Sequence, residues 1–353
     1  MADYVCFFSK DALIIKPAKK STLFLRMMAL LFAMVCGVLI CSIRLKHVST
    51  GTKFKYQNIL VIETAYTDND IKQSEISGDN GTKQLEVPQL HYPDPQTFSR
   101  AECKRNPVRL FAIITMQRSG SGWFETLLNS HINVSSNGEI FARIDQRRSI
   151  SSIINTLDKV YNLDWLTSAS KNECSAAVGF KWMLNQGLME HHREIVEYFN
   201  QKGVSAIFLF RRNLLRRMVS VIANSYDRYA KLLNGTHKSH VHSTQEAETL
   251  SSYKPTINST SLIIDLKEAE LTATQALEYF NSTRHIILYY EDLVKNPMKV
   301  KDVLEFLRLP QMELASRQVK IHRGSLSEHI QNWDEVNRTL HGTVYENFLN
   351  ADY

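Results

Sequence analysis

The chain has 353 residues, 44% hydrophobic and 22% charged, enough to bury a full-size core in one or two domains. Its net charge of +6 suits an anionic ligand, but the Lys and Arg residues are scattered, without the basic-aromatic interleaving of a nucleic-acid surface, so nucleic acid is not an expected partner. Five cysteines are too few for a disulfide scaffold.

Met27 to Ile43 is seventeen residues without a charge, and Leu23 to Leu25 extend it past Arg26. A spanning helix needs roughly 17–25 residues. Lys10, Lys16, Lys19, Lys20 and Arg26 come before it or at its start; Arg44, Lys46, Lys53 and Lys55 follow, so basic charge barely sets orientation. The expectation is an uncleaved transmembrane signal anchor over 23–43, a cytosolic tail over 1–22, and the bulk of the chain lumenal. Residues 44–105 carry few sustained apolar runs and read as a stem, with the folded domain over 106–353.

Arg109 to Ser130 reads RLFAIITMQRSGSGWFETLLNS. Leu110 to Thr115 has the pattern of a buried strand, and Trp123 to Leu128 places apolar residues at helical spacing. Between them, Gly120 and Gly122 allow a tight turn and close backbone approach. Ser119 and Ser121 add hydroxyls, the helix start adds partial positive charge, and Arg118 adds a full one. These groups make a cradle for a phosphate-type anion. A Walker A loop needs Gly-Lys-Ser/Thr at its end, and here Gly122 is followed by Trp123 and Phe124, which argues against a magnesium-bound triphosphate.

Further along, His131 to Ser136 reads as a weak strand and Ile140 to Asn162 as largely helical. Ala176 to Met183, Val204 to Phe210 and Arg284 to Tyr290 read as strands. Gln186 to Asn200, Arg211 to Lys231, Leu266 to Phe280, Pro297 to Leu307 and Leu326 to Leu340 read as helices, and Asn234 to Ser261 as a long polar loop. Strands alternating with helices predict an α/β fold: a three-layer sandwich with a central parallel sheet covered on both faces, with ligands beyond the strands' carboxyl ends. That rule singles out Arg212, leaving the Val204–Phe210 strand, and Ser220, eight residues on and about two turns into the helix. A guanidinium fork and a hydroxyl suit a second phosphate. Arg216 and Arg217 read as solvated helix charges. Lys181 ends a strand, facing either the cleft or the core edge.

Six Asn-x-Ser/Thr sequons, at Asn80, Asn133, Asn234, Asn258, Asn281 and Asn337, suit a lumenal domain; Asn133, near the anion loop in sequence, is expected to stay unmodified. Cys103 and Cys174 either pair, if the compartment is oxidising, or remain buried thiols. His237, His240 and His242 lie in a polar loop without Cys or paired carboxylates, so no metal site is expected.

Together, RSGSGWFETLLNSH with the downstream Glu139, Arg212 with Ser220, and the Ile287–Pro310 stretch ILYYEDLVKNPMKVKDVLEFLRLP resemble the Golgi-type membrane-bound carbohydrate sulfotransferases, within the P-loop sulfotransferase superfamily. His322-Arg323-Gly324 followed by Asn332-Trp333 echoes the Arg-Lys-Gly segment of cytosolic sulfotransferases. The resemblance spans about residues 108 to 350. It implies 3′-phosphoadenylyl sulfate as co-substrate, no metal, a carbohydrate acceptor and a single-pass type II Golgi membrane protein. By the same resemblance Arg118, Ser119, Gly120, Ser121, Gly122 and Trp123 hold the 5′-phosphosulfate, and Arg212 and Ser220 hold the 3′-phosphate with help from Arg323 and Gly324. The implied reaction is in-line displacement, with Arg118 as a charge clamp and Glu139 as the base. His131 is the rival base. Glu291 and Asp292 match the family's structural pair. Ile140 departs from the family's Pro after the matching Glu. The alternatives are a P-loop nucleotide kinase or NTPase, or a non-catalytic nucleotide- or glycan-binding relative.

Overall fold

The computed structural model describes residues 88–350. The expected tail and anchor, and the expected stem up to 87, lie outside the described residues. Among those described, no helix is long and apolar enough to cross a membrane.

Five strands, β1 (Arg109–Thr115), β2 (Val134–Ser136), β3 (Ala177–Met183), β4 (Ser205–Phe210) and β5 (His285–Tyr289), form one sheet in the order β2-β3-β1-β4-β5. Every pairing is parallel. β3 and β4 are buried along their whole length and β1 along all but its first residue, which is why their sequences run apolar rather than alternating. Strand side chains still alternate between faces. Leu110, Ala112 and Ile114 join Phe180, Trp182 and Phe208 in one core; Phe111, Ile113, Ile207 and Leu209 join a second.

Helices cover both faces. α1 (Ser121–Asn129) packs Phe124, Leu127 and Leu128 into the second core. α2 (Ile150–Tyr161) and α3 (His192–Lys202) pack Ile153, Leu157, Ile195 and Phe199 into the first. α4 (Leu214–Ala230), α5 (Thr244–Ser251) and α6 (Ser259–Tyr279) follow β4, and α7 (Tyr290–Lys295), α8 (Lys299–Phe306) and α9 (Trp333–Leu340) follow β5. A third core joins Leu214, Leu215 and Val219 of α4 to Leu262 and Leu266 of α6 and to Val336 and Leu340 of α9. β1 lies between β3 and β4, so the chain leaves it toward one edge and later crosses to the other. The loop after β1 therefore sits at the topological switch point, where open parallel sheets bind ligands.

Several elements differ from expectation for local reasons. Ser149 accepts from Ser152 N and starts α2 there, so most of the expected helix before it is short 3₁₀ turns. Gly187 takes φ 83° after β3, which delays α3 to His192. Asn258 accepts from Thr260 N and starts α6 seven residues before the expected Leu266. Ser243 caps α5 inside the expected polar loop, accepting from Glu246 N.

Residues 88–105, expected as stem, pack on the domain. His91 bridges to Val108, and the buried Arg100 donates from Nε to Glu173 O (3.2 Å) and from Nη2 to Asn106 O (3.2 Å). Cys103 and Cys174 are joined by a disulfide, Cα–Cα 5.3 Å. Asn133 stands at the N-terminal end of β2, the end of the sheet remote from the anion loop, so nearness in sequence is not nearness in space. Its Nδ2 donates to Cys174 O (2.7 Å).

Candidate active site

The β1–α1 turn gets its shape from two residues in the left-handed region, Arg118 at φ 64° and Gly120 at φ 81°. That is uncommon for a side chain as large as arginine and marks a turn held by its surroundings. Gly120 has a further reason: a Cβ there would meet Tyr290 Cδ2 at 2.2 Å. At Gly122 a Cβ would meet His240 Cε1 at 2.2 Å. The loop is thus pressed between an aromatic ring and an imidazole, and only glycine fits. Gly120 gives α1 no side-chain cap, so the first backbone N–H groups of the helix are left for an anion.

Arg118 reaches across the cleft. Its Nε donates to Ser220 Oγ (2.9 Å) on α4, and its Nη1 donates to Ser239 O (2.7 Å). The anion loop and Ser220 of the second motif therefore meet. Both line one cavity of about 890 Å³, whose wall also includes Trp123, Glu139, Lys181, Arg211, His240, Tyr290 and His322.

The cavity is crowded with cations. Burial, then neighbouring Arg211, pulls Arg118 down to about 10, and the same two causes bring Arg217 to about 10. His322 falls to about 3 through burial and then His329, Arg118, Arg211 and Arg216. His240, although exposed to solvent, also falls to about 3, because protein atoms around its ring desolvate it and Lys181 and Arg118 lie close. Burial is the larger cause at each group and the neighbouring cations add to it, so the two histidines are neutral and the arginines sit in a seat short of negative charge. Arg217 Nε, His322 Nδ1 and Ser119 Oγ are buried without a hydrogen-bond partner. Of the three only His322 lines the cavity, where a polyanion would supply the partner its ring lacks; Ser119 and Arg217 stand behind the wall.

Arg212 is not where the sequence reading put it. It is exposed and outside the cavity wall; its Nη1 and Nη2 donate to the Asp292 carboxylate, and its guanidinium lies 4.0 Å from the Tyr289 ring centre. Successive residues at a strand end face opposite ways, and Arg211 is the one that turns inward, 5.4 Å from the Tyr290 ring. Arg323 and Gly324 also stand behind the wall, while His322 beside them lines it. Arg216, expected to be solvated, is 3% exposed and donates from Nη2 to Gly324 O (2.9 Å), which fastens that segment to α4.

On the other side of the cleft, Lys181 projects from β3 between two carboxylates, 3.2 Å from Glu125 Oε2 and 3.3 Å from Glu139 Oε1. Gln186 Nε2 donates to Glu139 Oε2 (3.1 Å). Glu125 Oε1 accepts from Ser136 Oγ (2.7 Å) and Gly138 N (2.8 Å), which ties α1 to the β2 end that carries Glu139. Lys181 does face the cleft. Glu125 was missed in the sequence, where it reads as a polar residue within α1; a carboxylate only 6% exposed needs a partner, and that partner is 56 residues away. His131, the rival base, is 1% exposed, accepts from Asn133 N at Nδ1 (3.2 Å) and so presents Nε2–H to Pro310 O (3.1 Å). It packs away from the cavity. Glu291 accepts from the Arg212 and Asn213 backbone N–H groups (3.1 and 3.2 Å), a structural role. Among the described residues, no group of three or more His, Cys, Asp or Glu is placed to hold a metal ion.

Residues 110–338 match the family model described as the sulfotransferase domain. Nodulation protein H of Rhizobium meliloti is 25% identical over 252 residues, covering 69% of this chain and 96% of that protein. Among solved structures, a sulfotransferase from Alicyclobacillus acidocaldarius is similar at 11% identity and TM-score 0.36, covering 68% of this chain and 94% of that one. A mouse sulfotransferase complexed with PAP is similar at 13% identity and TM-score 0.32, covering 57% of this chain; the present chain spans 60% of its length. A sulfotransferase domain from the curacin biosynthetic pathway is similar at 15% identity and TM-score 0.33, covering 68% of this chain and 88% of that one.

Proposed function

The chain belongs to the sulfotransferase domain family, and from that premise we propose that it moves a sulfuryl group from 3′-phosphoadenylyl sulfate to a hydroxyl of a carbohydrate acceptor. One observation carries the reading. Arg118 at the β1–α1 turn donates to Ser220 on α4, so the anion loop and a hydroxyl 102 residues away share one cavity. Its volume, about 890 Å³, is in the range of sites that enclose a nucleotide-sized ligand.

In this reading the start of α1, with Ser119, Ser121 and the Gly120 and Gly122 backbone, holds the 5′-phosphosulfate. Arg211, Ser220 and His322 receive the 3′-phosphate. The acceptor oxygen attacks sulfur, the bond from sulfur to the bridging oxygen breaks, and its electron pair leaves with adenosine 3′,5′-bisphosphate. Charge grows on that bridging oxygen, where a fixed cation stabilises the transition state more than the ground state. Arg118 suits this, because its hydrogen-bond partners Ser220 Oγ and Ser239 O are neutral and no carboxylate among the described residues is hydrogen-bonded to it. The acceptor proton passes to Glu139. Lys181 and Gln186 orient that carboxylate, and a carboxylate has about four acceptor sites, so these contacts leave capacity for the proton.

A Golgi membrane location with the domain lumenal belongs to the same proposal. The Cys103–Cys174 disulfide supports an oxidising compartment. Of the sequons among the described residues, Asn234, Asn258, Asn281 and Asn337 are exposed.

The test uses the full chain, with radiolabelled donor and a panel of glycans, beside calorimetry of adenosine 3′,5′-bisphosphate against magnesium ATP. Bisphosphate binding with transfer of label to a glycan is expected. Binding of ATP alone would move the chain to the kinase reading. Glu139→Gln should lower turnover by roughly 100-fold while donor affinity changes little; equal loss of both would place the base elsewhere.

A further inference from the structure

The loop between α4 and α5, residues 231–243, contains a hydrogen-bonded chain that the reaction above does not use. Asp227, 3% exposed near the end of α4, accepts at Oδ1 from Leu232 N (2.8 Å) and faces His237 Nδ1 at Oδ2 (2.5 Å). His237 Nε2 lies 3.2 Å from Ser239 Oγ. The carboxylate can only accept, so His237 carries a proton on Nδ1, and its Nε2 shares a hydrogen bond with the Ser239 hydroxyl. The same Ser239 turns its carbonyl oxygen to Arg118 Nη1 (2.7 Å). Beyond it, Val319 N donates to Val241 O (2.9 Å) and closes the far side of the loop.

We propose that Asp227 and His237 are positioning residues for Arg118: acting through Ser239, they hold the loop carbonyl that aims the guanidinium into the cavity. The inference rests on the sulfuryl-transfer reading. Its physical point is the neutrality of the holding group. Arg212, one strand away, is held by the Asp292 carboxylate, and its charge is cancelled there. Arg118 is held by a carbonyl and a hydroxyl, so its direction is fixed and its charge stays available. A carbonyl on a surface loop is a poor anchor unless the loop is stiff. The carboxylate that supplies the stiffness is kept two links away from the guanidinium, behind an imidazole.

Calorimetric titration of adenosine 3′,5′-bisphosphate into the full chain reads the effect without a known acceptor. His237→Ala should weaken binding roughly tenfold, the scale of a displaced charged group, and Ser239→Ala, which keeps the carbonyl, roughly threefold. Lys238→Ala, in the same loop but paired with Glu246 at the surface, should change nothing. The deciding measurement is the double variant. In an Arg118→Ala background the His237→Ala change should cost no more than about twofold further, because the residue it positions is gone. Full additivity would overturn the proposal. Thermal unfolding checks the fold, and should His237→Ala fail to fold, the Ser239→Ala pair carries the same cycle. Wild-type chain that binds no bisphosphate would sink the sulfuryl-transfer reading itself, an outcome distinct from additivity.

Discussion

At the end of β4 two adjacent arginines face opposite ways. The pattern of an arginine eight residues before a serine on the next helix is legible in the sequence, and Ser220 does line the cavity. Which arginine accompanies it is not legible. Strand alternation gives two phases, and the choice depends on Asp292, which draws Arg212 outward from 80 residues downstream. A charge-assisted hydrogen bond contributes about 1.5–3 kcal/mol, or roughly 10- to 100-fold in affinity. Arg211→Ala should therefore weaken adenosine 3′,5′-bisphosphate by that factor, while Arg212→Ala stays within about threefold. Calorimetry on the two variants decides; the opposite ranking would mean that Arg212 leaves Asp292 and swings inward when the nucleotide binds.

At the scale of elements, the strands were legible because their signal is local. Four apolar runs and a weaker fifth, separated by helical patterns, leave little choice but a parallel sheet, and each expected strand starts within three residues of an observed one. Helix starts are set by caps that apolar spacing does not show: Ser149, Asn258 and Ser243 each accept a backbone N–H and set a boundary that spacing misplaces. The joint between β3 and α1 was not legible at all, since it depends on Lys181 meeting Glu125 and Glu139. The Lys181 side chain is 6% exposed and that of Glu125 9%, so the pair is buried. Removing one partner of a buried pair leaves an uncompensated charge and costs about 3–5 kcal/mol. Lys181→Met should lower the melting temperature by roughly 6–20 °C at two to four degrees per kcal/mol. Glu139→Gln, which leaves Lys181 with Glu125, should lower it far less. Similar melting temperatures for the two variants would show that Glu125 is satisfied by Ser136 and Gly138 alone.

Across the whole molecule, the reacting groups and the covalent staple lie at opposite ends of the sheet. The cavity opens beyond the carboxyl ends of β1 and β4, whereas Cys174 precedes β3 and Cys103 precedes β1, at the amino ends. The staple closes a loop of 71 residues that contains β1, α1, β2 and α2, the half of the domain that carries Arg118 and Glu139. Cross-linking a loop of that length restricts the unfolded chain by about 2–4 kcal/mol. Arg100 reinforces the same corner by donating to the carbonyls of Glu173 and Asn106 from a buried position. Stability and chemistry should therefore separate. Reducing the disulfide, or replacing both cysteines by serine, should lower the melting temperature by roughly 4–16 °C at two to four degrees per kcal/mol. Affinity for adenosine 3′,5′-bisphosphate at 25 °C should stay within about twofold, because the corner lies at the end of the sheet opposite the cavity and contributes no residue to its wall. Differential scanning calorimetry and titration on the same reduced sample check both halves. An affinity loss in step with the lost stability would mean that the β1–α1 turn is held in its left-handed shape from the far end of the sheet, not by Tyr290 and His240 packed against its glycines.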